Sequence, residues 1–369
     1  MIKVLHIYNN LDVAGAQTVI MNYLRYLKGD NEIEISLLIN GLPKNTAYEL
    51  ECQEQGYSLI YSGFQAWKGI WGVRAIVNWF KCQWYVFREI KRLKPDVIHT
   101  HGTDNLLYFT LPILFAGVKG HIHTLHSDPY TFRKIFVIWA YIAFHWIGVF
   151  PICVTKEQAQ KAKQRYKIKK YTVIYNGIDS NRFINVNKTQ VRQELDIPET
   201  KTVIGCVARF EKIKNHQFLI QLFSEYSKSN NNAILMLVGE GAERKTIEQL
   251  AAHLGIKEKL IFTGMRKDVE RLYYAMDIFM LTSFYESSSI VTIEAQMAGV
   301  RCVIANSIPE DTVITNQVNR ISLDAPTPTW IAAIRNEIPY DKPKSSISDF
   351  TIENTINSTK KIYLLISSL

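Results

Sequence analysis

Cysteine is scarce and scattered. Cys52, Cys82, Cys153, Cys206 and Cys302 form no Cys-x-x-Cys pair, and an odd, dispersed set excludes a disulfide framework and reads as reduced thiols in a cytosol. The chain shows no signal peptide, because its first apolar stretch ends at Tyr8 and polar residues follow. Internal repeats and low-complexity tracts are absent as well. Only 135–154 is near-continuously apolar, and His145, Gly148 and Pro151 interrupt it, which argues against a membrane span. Helix-turn-helix, zinc-finger and aromatic RNA-binding patterns are missing, so a net charge of +9 does not point to nucleic acid.

What is present is length and an uneven charge. A chain of 369 residues suits two α/β domains of about 180 residues, each able to bury a core. Residues 1–180 hold 21 Lys and Arg against 13 Asp and Glu, whereas 181–369 hold 22 against 21. The N-terminal half therefore faces something acidic, for which an anionic membrane surface fits better than nucleic acid. Two aromatic clusters lie in that half: Trp67, Trp71, Trp79, Trp84, Tyr85 and Phe87, then Phe132, Phe136, Trp139, Tyr141, Phe144 and Trp146. Lys81, Arg88, Lys91, Arg92 and Lys94 flank the first, and Arg133 and Lys134 open the second. Such segments suit a membrane interface, and the plain alternative is that the rings fill the core.

The segment 277–305 carries the most chemistry. Asp277 to Leu281 reads as a buried strand, Ile290 to Ala298 as a helix stopped by Gly299, and Val303 to Ala305 as the next strand. In such a βαβ unit ligands sit beyond the carboxyl ends of the strands, where helix N-terminal amides offer positive partial charge to a phosphate. Glu286 lies in that crevice and Glu294 about one helical turn in, with a solvated acidic loop as the plain alternative. A second strand, beginning at Val203, delivers Arg209 and Lys214 five residues apart. An Arg fork and a Lys point charge suit a departing diphosphate.

These motifs resemble those of glycosyltransferase family 4. The resemblance rests on Glu286-x7-Glu294 with Ala295-x-x-Ala298-Gly299, on Arg209-x4-Lys214, and on the Asn176-Gly177-Ile178-Asp179 turn. It also rests on Ala14-Gly15-Ala16-Gln17 after a strand over Lys3 to Tyr8, where one glycine of the usual pair is lost and a helix starts at about Thr18. Strand-then-histidine patterns end in His99, His101 and Asp104, and in His126. Gly239-Glu240-Gly241 lacks the third glycine of a dinucleotide fingerprint, and is similar instead to the family's Val-Gly-x-Gly loop before a helix over Glu243 to Leu254.

The resemblance implies an α/β chain of GT-B fold, with two Rossmann-like doubly wound domains facing a cleft. Residues 1–180 would form the acceptor-binding domain and 181–347 the nucleotide-sugar-binding domain. A helix within 348–369, about Ser348 to Leu365, would cross back onto the first after a linker over Pro339 to Ser346. The apolar run would split into a helix over about Phe132 to Trp146 and a strand over Val149 to Thr155. The implied activity is retaining transfer of a hexose or N-acetylhexosamine from a UDP- or GDP-sugar to a glycan or lipid-linked acceptor, as in exopolysaccharide or capsule synthesis. Such a protein works in the cytoplasm, peripheral to the inner face of the plasma membrane.

Among the residues, Arg209 and Lys214 would neutralise the diphosphate, Glu294 hold the ribose, Glu286 the sugar and His126 its hydroxyl edge. Gly15, Asn176, Gly239, Met265, Arg266, Ser287, Ser288, Ser289, Ile290 and Val291 would complete the donor site, with His99, His101 and Asp104 on the acceptor side. No cofactor or metal is expected: the chain has no Asp-x-Asp, and histidines alternating by two on strands do not match helical or finger spacings. One departure stands out. Where the family commonly reads Glu-Gly-x-Pro, this chain reads Glu286-Ser287-Ser288-Ser289. That leaves a second reading, a catalytically impaired GT-B subunit that organises a partner transferase.

Overall fold

The computed structural model describes every residue except 13–14, 65–72, 185 and 369, with the side chains of 73–75 and 104 also outside the description. Ala14, Trp67 and Trp71, named above, fall among these. Two compact units divide the chain, Met1–Gly177 with Ile352–Leu369, and Ile178–Thr351.

In the first unit, strands β1 (Ile2–Tyr8), β2 (Ile33–Ile39), β3 (Ser58–Tyr61), β4 (Val97–His101), β5 (Gly120–Leu125), β6 (Phe150–Cys153) and β7 (Thr172–Val173) alternate with helices α1 (Gly15–Tyr26), α2 (Ala47–Glu54), α3 (Val73–Leu93), α4 (Asp104–Ala116), α5 (Lys134–Ile142) and α6 (Lys156–Tyr166). The sheet order is β3-β2-β1-β4-β5-β6-β7, all parallel. β4 and β5 are buried along their whole length, as expected where helices cover both faces of a parallel sheet. Strand order reverses between β1 and β4, the point at which α/β sheets open a crevice.

The second unit holds α7 (Lys188–Glu194), β8 (Thr202–Val207), α8 (His216–Ser229), β9 (Ala233–Val238), α9 (Arg244–His253), β10 (Leu260–Gly264), α10 (Val269–Ala275), β11 (Ile278–Leu281), α11 (Ile290–Met297), β12 (Arg301–Ala305), β13 (Val318–Ile321) and α12 (Thr327–Ile334). Its parallel sheet runs β10-β9-β8-β11-β12-β13, so the reversal falls between β8 and β11. Asp277 fixes that junction by accepting from the Val203 N–H and from Arg192 and Lys188 at 2.8 Å each.

Several boundaries differ from the sequence reading. The first helix starts at Gly15, not Thr18. The helix expected from Phe132 begins at Lys134, because Asp128 caps a separate 3-10 turn over Pro129–Thr131. It relaxes to π geometry over Ala143–Ile147 before Gly148 stops it with φ at 83°. The final helix, α13 (Ile352–Ser367), starts four residues after Ser348, since Ser346 and Asp349 cap their own 3-10 turn. Among the described residues no helix is long and apolar enough to cross a membrane.

α13 packs against β1, β4, β5 and α1, burying Ile352, Thr355, Ile356, Thr359, Tyr363 and Ile366. Its polar links are specific: Thr355 Oγ1 donates to Tyr175 O at 2.8 Å, and Lys360 pairs with Asp30 at 2.7 Å and Glu32 at 2.8 Å. The chain arrives beside it at Gly177, where a Cβ would stand 2.7 Å from Ile352 Cα and 2.7 Å from Thr355 Oγ1. Gly177→Ala is therefore expected to destabilise the first unit by about 1–3 kcal/mol through overpacking. Urea unfolding followed by tryptophan fluorescence checks it, and an unchanged midpoint would contradict this account of the glycine.

Candidate active site

Parallel topology sends every loop that follows a strand to the same edge of its sheet. In the second unit Arg209 follows β8, Gly239 follows β9, Met265 and Arg266 follow β10, and Glu286 to Val291 follow β11. β8 and β11 are neighbours, and their loops are stitched together. The Phe284 N–H donates to Ile213 O at 2.8 Å, and Thr282 Oγ1 donates to Asn215 O at 3.0 Å. That stitching brings Lys214 Nζ to 2.7 Å from Glu286 Oε1, which also accepts from Ser283 Oγ at 2.7 Å. Arg209 stays largely exposed and pairs with Glu211 at 2.7 Å. The two cations are thus unlike: one sits in a part-buried pair, the other faces water.

Glu294 lies in α11 and accepts from Tyr273 OH at 2.8 Å. Burial among protein atoms pushes its carboxyl up to about 7, because a low-dielectric surrounding disfavours the charged form. The Tyr273 phenol is raised well above its ordinary value, first by burial and then by the adjacent carboxylate.

The serine loop is conformationally unusual. Ser289 has φ 37° and ψ 61°, left-handed backbone that costs a residue with a Cβ about 1 kcal/mol. Proline fixes φ near −65°, so this loop takes a path that the family's usual proline could not follow. Ser289 Oγ bonds Thr292 Oγ1 at 2.7 Å, and Ser288 Oγ is buried with no hydrogen-bond partner among the described residues.

Gly239 has a structural reason of its own. With φ at 138° its Cβ would fall 2.1 Å from Ala208 O, and its N–H donates to Gly264 O at 3.0 Å, so three strand ends close on one another there. Met265 is exposed, while Arg266 forms a two-point pair with Asp268 at 2.8 and 2.7 Å. Ile290 and Val291 open α11, both half-buried.

In the first unit Gly15 is the first residue of α1 and Asp104 the first of α4. Asn176 is buried just after β7. His126 follows β5 and keeps partial exposure. His101 Nδ1 lies 3.0 Å from His126 Nε2. His99 and His101 are buried completely, with both ring nitrogens of each bonded to protein: His99 to Tyr363 and Thr124, His101 to His6 and His126. This corrects their placement on the acceptor side, since neither ring has a nitrogen left for an acceptor. Burial lowers His126 to about 4 and His6 to about 3, and holds His99 and His101 well below the usual value. All four are neutral at pH 7.

Sequence reasoning missed Ser283, Tyr273, His6 and Tyr363. His6 left a signal, a polar residue inside the apolar run of β1. Tyr363 left none, because its partner His6 is 357 residues away. The histidines were set aside as metal ligands by spacing, yet His6, His99 and His101 do bring ring nitrogens within 4.8 Å of one another.

Residues 13–182 match the family model described as Glycosyltransferase Family 4, and residues 187–345 match that described as Glycosyl transferases group 1. Putative glycosyltransferase EpsF of Bacillus subtilis (strain 168) is 24% identical over 354 residues, covering 93% of this chain and 89% of that protein. An Escherichia coli UDP-Gal:alpha-D-GlcNAc-diphosphoundecaprenol alpha-1,3-galactosyltransferase is 23% identical over 247 residues, 63% of either chain. Among solved structures, Anabaena Alr3699/HepE in complex with UDP-glucose superposes with a TM-score of 0.74 at 17% identity, covering all of this chain and 98% of the other. A glycosyltransferase from Rickettsia africae ESF-5 gives 0.75 at 15%, covering 99% of this chain and 98% of that one. The two family models adjoin along the sequence, and the solved neighbours share both sheets: the chain belongs to glycosyltransferase family 4 and has the GT-B fold.

Proposed function

We propose that this chain transfers a hexose or N-acetylhexosamine from a UDP- or GDP-sugar to a glycan or lipid-linked acceptor in cell-surface polysaccharide synthesis, with anomeric retention and without a metal. The observation that carries the reading is the meeting of Lys214, Glu286 and Ser283 beyond β8 and β11, with Arg209 exposed on the same loop as Lys214. As the anomeric C–O bond breaks, the diphosphate gains charge that Arg209 and Lys214 neutralise. The acceptor oxygen bonds the anomeric carbon, and its proton passes to a phosphate oxygen of the departing nucleotide. Glu286 holds the sugar, His126 a hydroxyl edge, and Glu294 the ribose. The E. coli relative's name supplies the analogy for a UDP-sugar and a diphosphoundecaprenol acceptor.

The acceptor side is proposed to meet an anionic membrane. Phe80 and Trp84 of α3, Phe115 of α4, and Ile138, Tyr141 and Trp146 of the α5 segment are exposed, and α4 packs against both α3 and α5. Lys81, Arg88, Lys91 and Arg92 are exposed on α3. Two rings of the second cluster, Trp139 and Phe144, pack instead against the core, and Trp139 Nε1 donates to Leu106 O at 2.6 Å. Exposed rings entering the headgroup boundary beside cations give reversible, salt-sensitive attachment.

Three outcomes follow. Arg209→Ala and Lys214→Ala are each expected to lower transfer by at least ~100-fold with the melting temperature kept; near-parental turnover in both would remove the diphosphate assignment, whereas a parent that itself neither transfers sugar nor hydrolyses any donor would favour the impaired-subunit reading.

Glu294 supplies a pH signature. Its folded pKa of about 7 lies above the ordinary 4.5, so its stabilising contribution is full below 4.5 and is lost as pH rises through 7. Accepting from both ribose hydroxyls calls for the ionised form, so UDP should bind more tightly at pH 8 than at pH 6. Isothermal titration of the parent and Glu294→Gln checks this, the variant being expected to lose the dependence.

For the membrane, co-sedimentation with phosphatidylglycerol vesicles should fall when Lys81, Arg88, Lys91 and Arg92 are changed together to Gln, each cation contributing about 1 kcal/mol near such a surface. Equal sedimentation of parent and variant would point to a soluble glycan acceptor.

A further inference from the structure

Six side chains in the first unit form one unbroken hydrogen-bonded line. Thr124 Oγ1 lies 2.7 Å from His99 Nε2, and His99 Nδ1 lies 2.7 Å from Tyr363 OH. Tyr363 OH lies 2.9 Å from His6 Nε2, His6 Nδ1 lies 2.9 Å from His101 Nε2, and His101 Nδ1 lies 3.0 Å from His126 Nε2. The sheet register explains the alignment. His6 of β1 pairs with His99 of β4, and His101 pairs with Thr124 of β5, so all four project from one face, the face on which α13 sets Tyr363.

A neutral imidazole has one donor and one acceptor. The imidazoles therefore pass the direction of donation along, and only the Tyr363 hydroxyl, with one hydrogen and two lone pairs, can break it by accepting from both His99 and His6, a pattern that leaves its own buried hydrogen unpaired; two senses run unbroken from end to end. In the first, Thr124 donates to His99, His99 to Tyr363, Tyr363 to His6, His6 to His101, and His101 to His126. In the reverse sense His99 donates to Thr124, whose own hydrogen then has no acceptor among the described residues, and a buried unpaired hydroxyl costs on the order of 1–3 kcal/mol. The first sense wins. It leaves His126 Nε2 accepting and puts the hydrogen on Nδ1, the one ring nitrogen of the line with no protein partner among the described residues.

We propose that Tyr363, His6 and His101 are positioning residues that hold His126 as its Nδ1–H tautomer, so that it presents a donor, not a lone pair, to an oxygen of the bound sugar. The proposal rests on the sugar-facing role given to His126 above. It ties the last helix of the chain to the sugar site through hydrogen positions alone. A metal at His6, His99 and His101 is the competing use of the cluster, but it would need three lone pairs converging on one point, whereas His6 Nδ1 faces His101 Nε2 at 2.9 Å and both His99 nitrogens face hydroxyls.

The test reads the tautomer itself. Full-length protein labelled with [15N]histidine, with His126 assigned through His126→Gln, is measured at pH 7.5 by two-bond 1H–15N correlation. The parent is expected to favour Nδ1–H at His126 by roughly tenfold, the scale set by one unpaired hydroxyl. In Tyr363→Phe both senses leave one ring nitrogen of His6 unpaired, so the ratio should fall toward parity. Hydrolysis of UDP-glucose, UDP-galactose or UDP-N-acetylglucosamine is the second readout: Tyr363→Phe should lower kcat about tenfold with KM little changed, and should cost nothing further in the His126→Gln background.

An Nε2–H signal in the parent, an unchanged ratio in Tyr363→Phe, or additive losses in the double variant would overturn the proposal. So would one equivalent of Zn²⁺ in the purified parent whose removal rearranges the His6, His99 and His101 signals. Should Tyr363→Phe fail to fold, Thr124→Ser and Thr124→Val pose the question at the other end: serine should keep the parental ratio and valine lose it, and equal ratios would overturn the relay. If the tautomer behaves as expected while His126→Gln turns over donor normally, the relay is supported and the role given to His126 falls.

Discussion

Every functional loop of this chain depends on one constraint, that both sheets are wholly parallel. A parallel strand must be followed by a crossover, and the crossover begins at the carboxyl edge. Two strands that are neighbours in space but distant in sequence therefore release their loops side by side. β8 and β11 do so, which is how Lys214 and Glu286, 72 positions apart, reach 2.7 Å. Within the first sheet, the parallel register of β1 and β4 likewise sets His6 beside His99. The chemistry needs no long excursions of chain, only strands that stop where they do.

How much of this was legible in the sequence follows from the range of each interaction. β8, β9 and β11 could be read from apolar runs, and the place of Glu294 about one turn into α11 from the helical pattern around it, because these are matters of local period. The pairing of Lys214 with Glu286 was not readable, since it depends on the 213–215 and 282–284 segments bonding to each other, through the Phe284 N–H and Thr282 Oγ1. The start of α13 was misplaced because Ser346 and Asp349 make as good a cap for a short 3-10 turn as for a helix. His99 and His101 were assigned outward because a strand-then-histidine pattern says where a residue lies along a strand but not what covers it. Tyr363 covers them.

The serine loop illustrates a conflict between local preference and tertiary demand. Nothing about serine favours φ at 37°, and the loop that carries it is held at its ends by bonds unrelated to that torsion: Ser283 O accepts from Ser307 Oγ at 2.6 Å, and Gln296 bonds Thr312 O at 2.8 Å. With both ends pinned, the cost of the torsion is met by the surrounding packing rather than by the residue. Strain of this kind persists where the neighbourhood over-determines the backbone.

The two units also divide the electrostatic labour. In the second, Lys214 and Glu286 form an ion pair at 2.7 Å at a strand edge, with Arg209 exposed on the same loop as Lys214. In the first, burial suppresses protonation of His6, His99, His101 and His126, so that edge offers hydrogen bonds without net charge. A cationic histidine would surrender its acceptor nitrogen, breaking the sense of donation along the line. Neutrality is what lets the line have a direction at all: a single added proton would turn one acceptor into a second donor and set two donors facing each other.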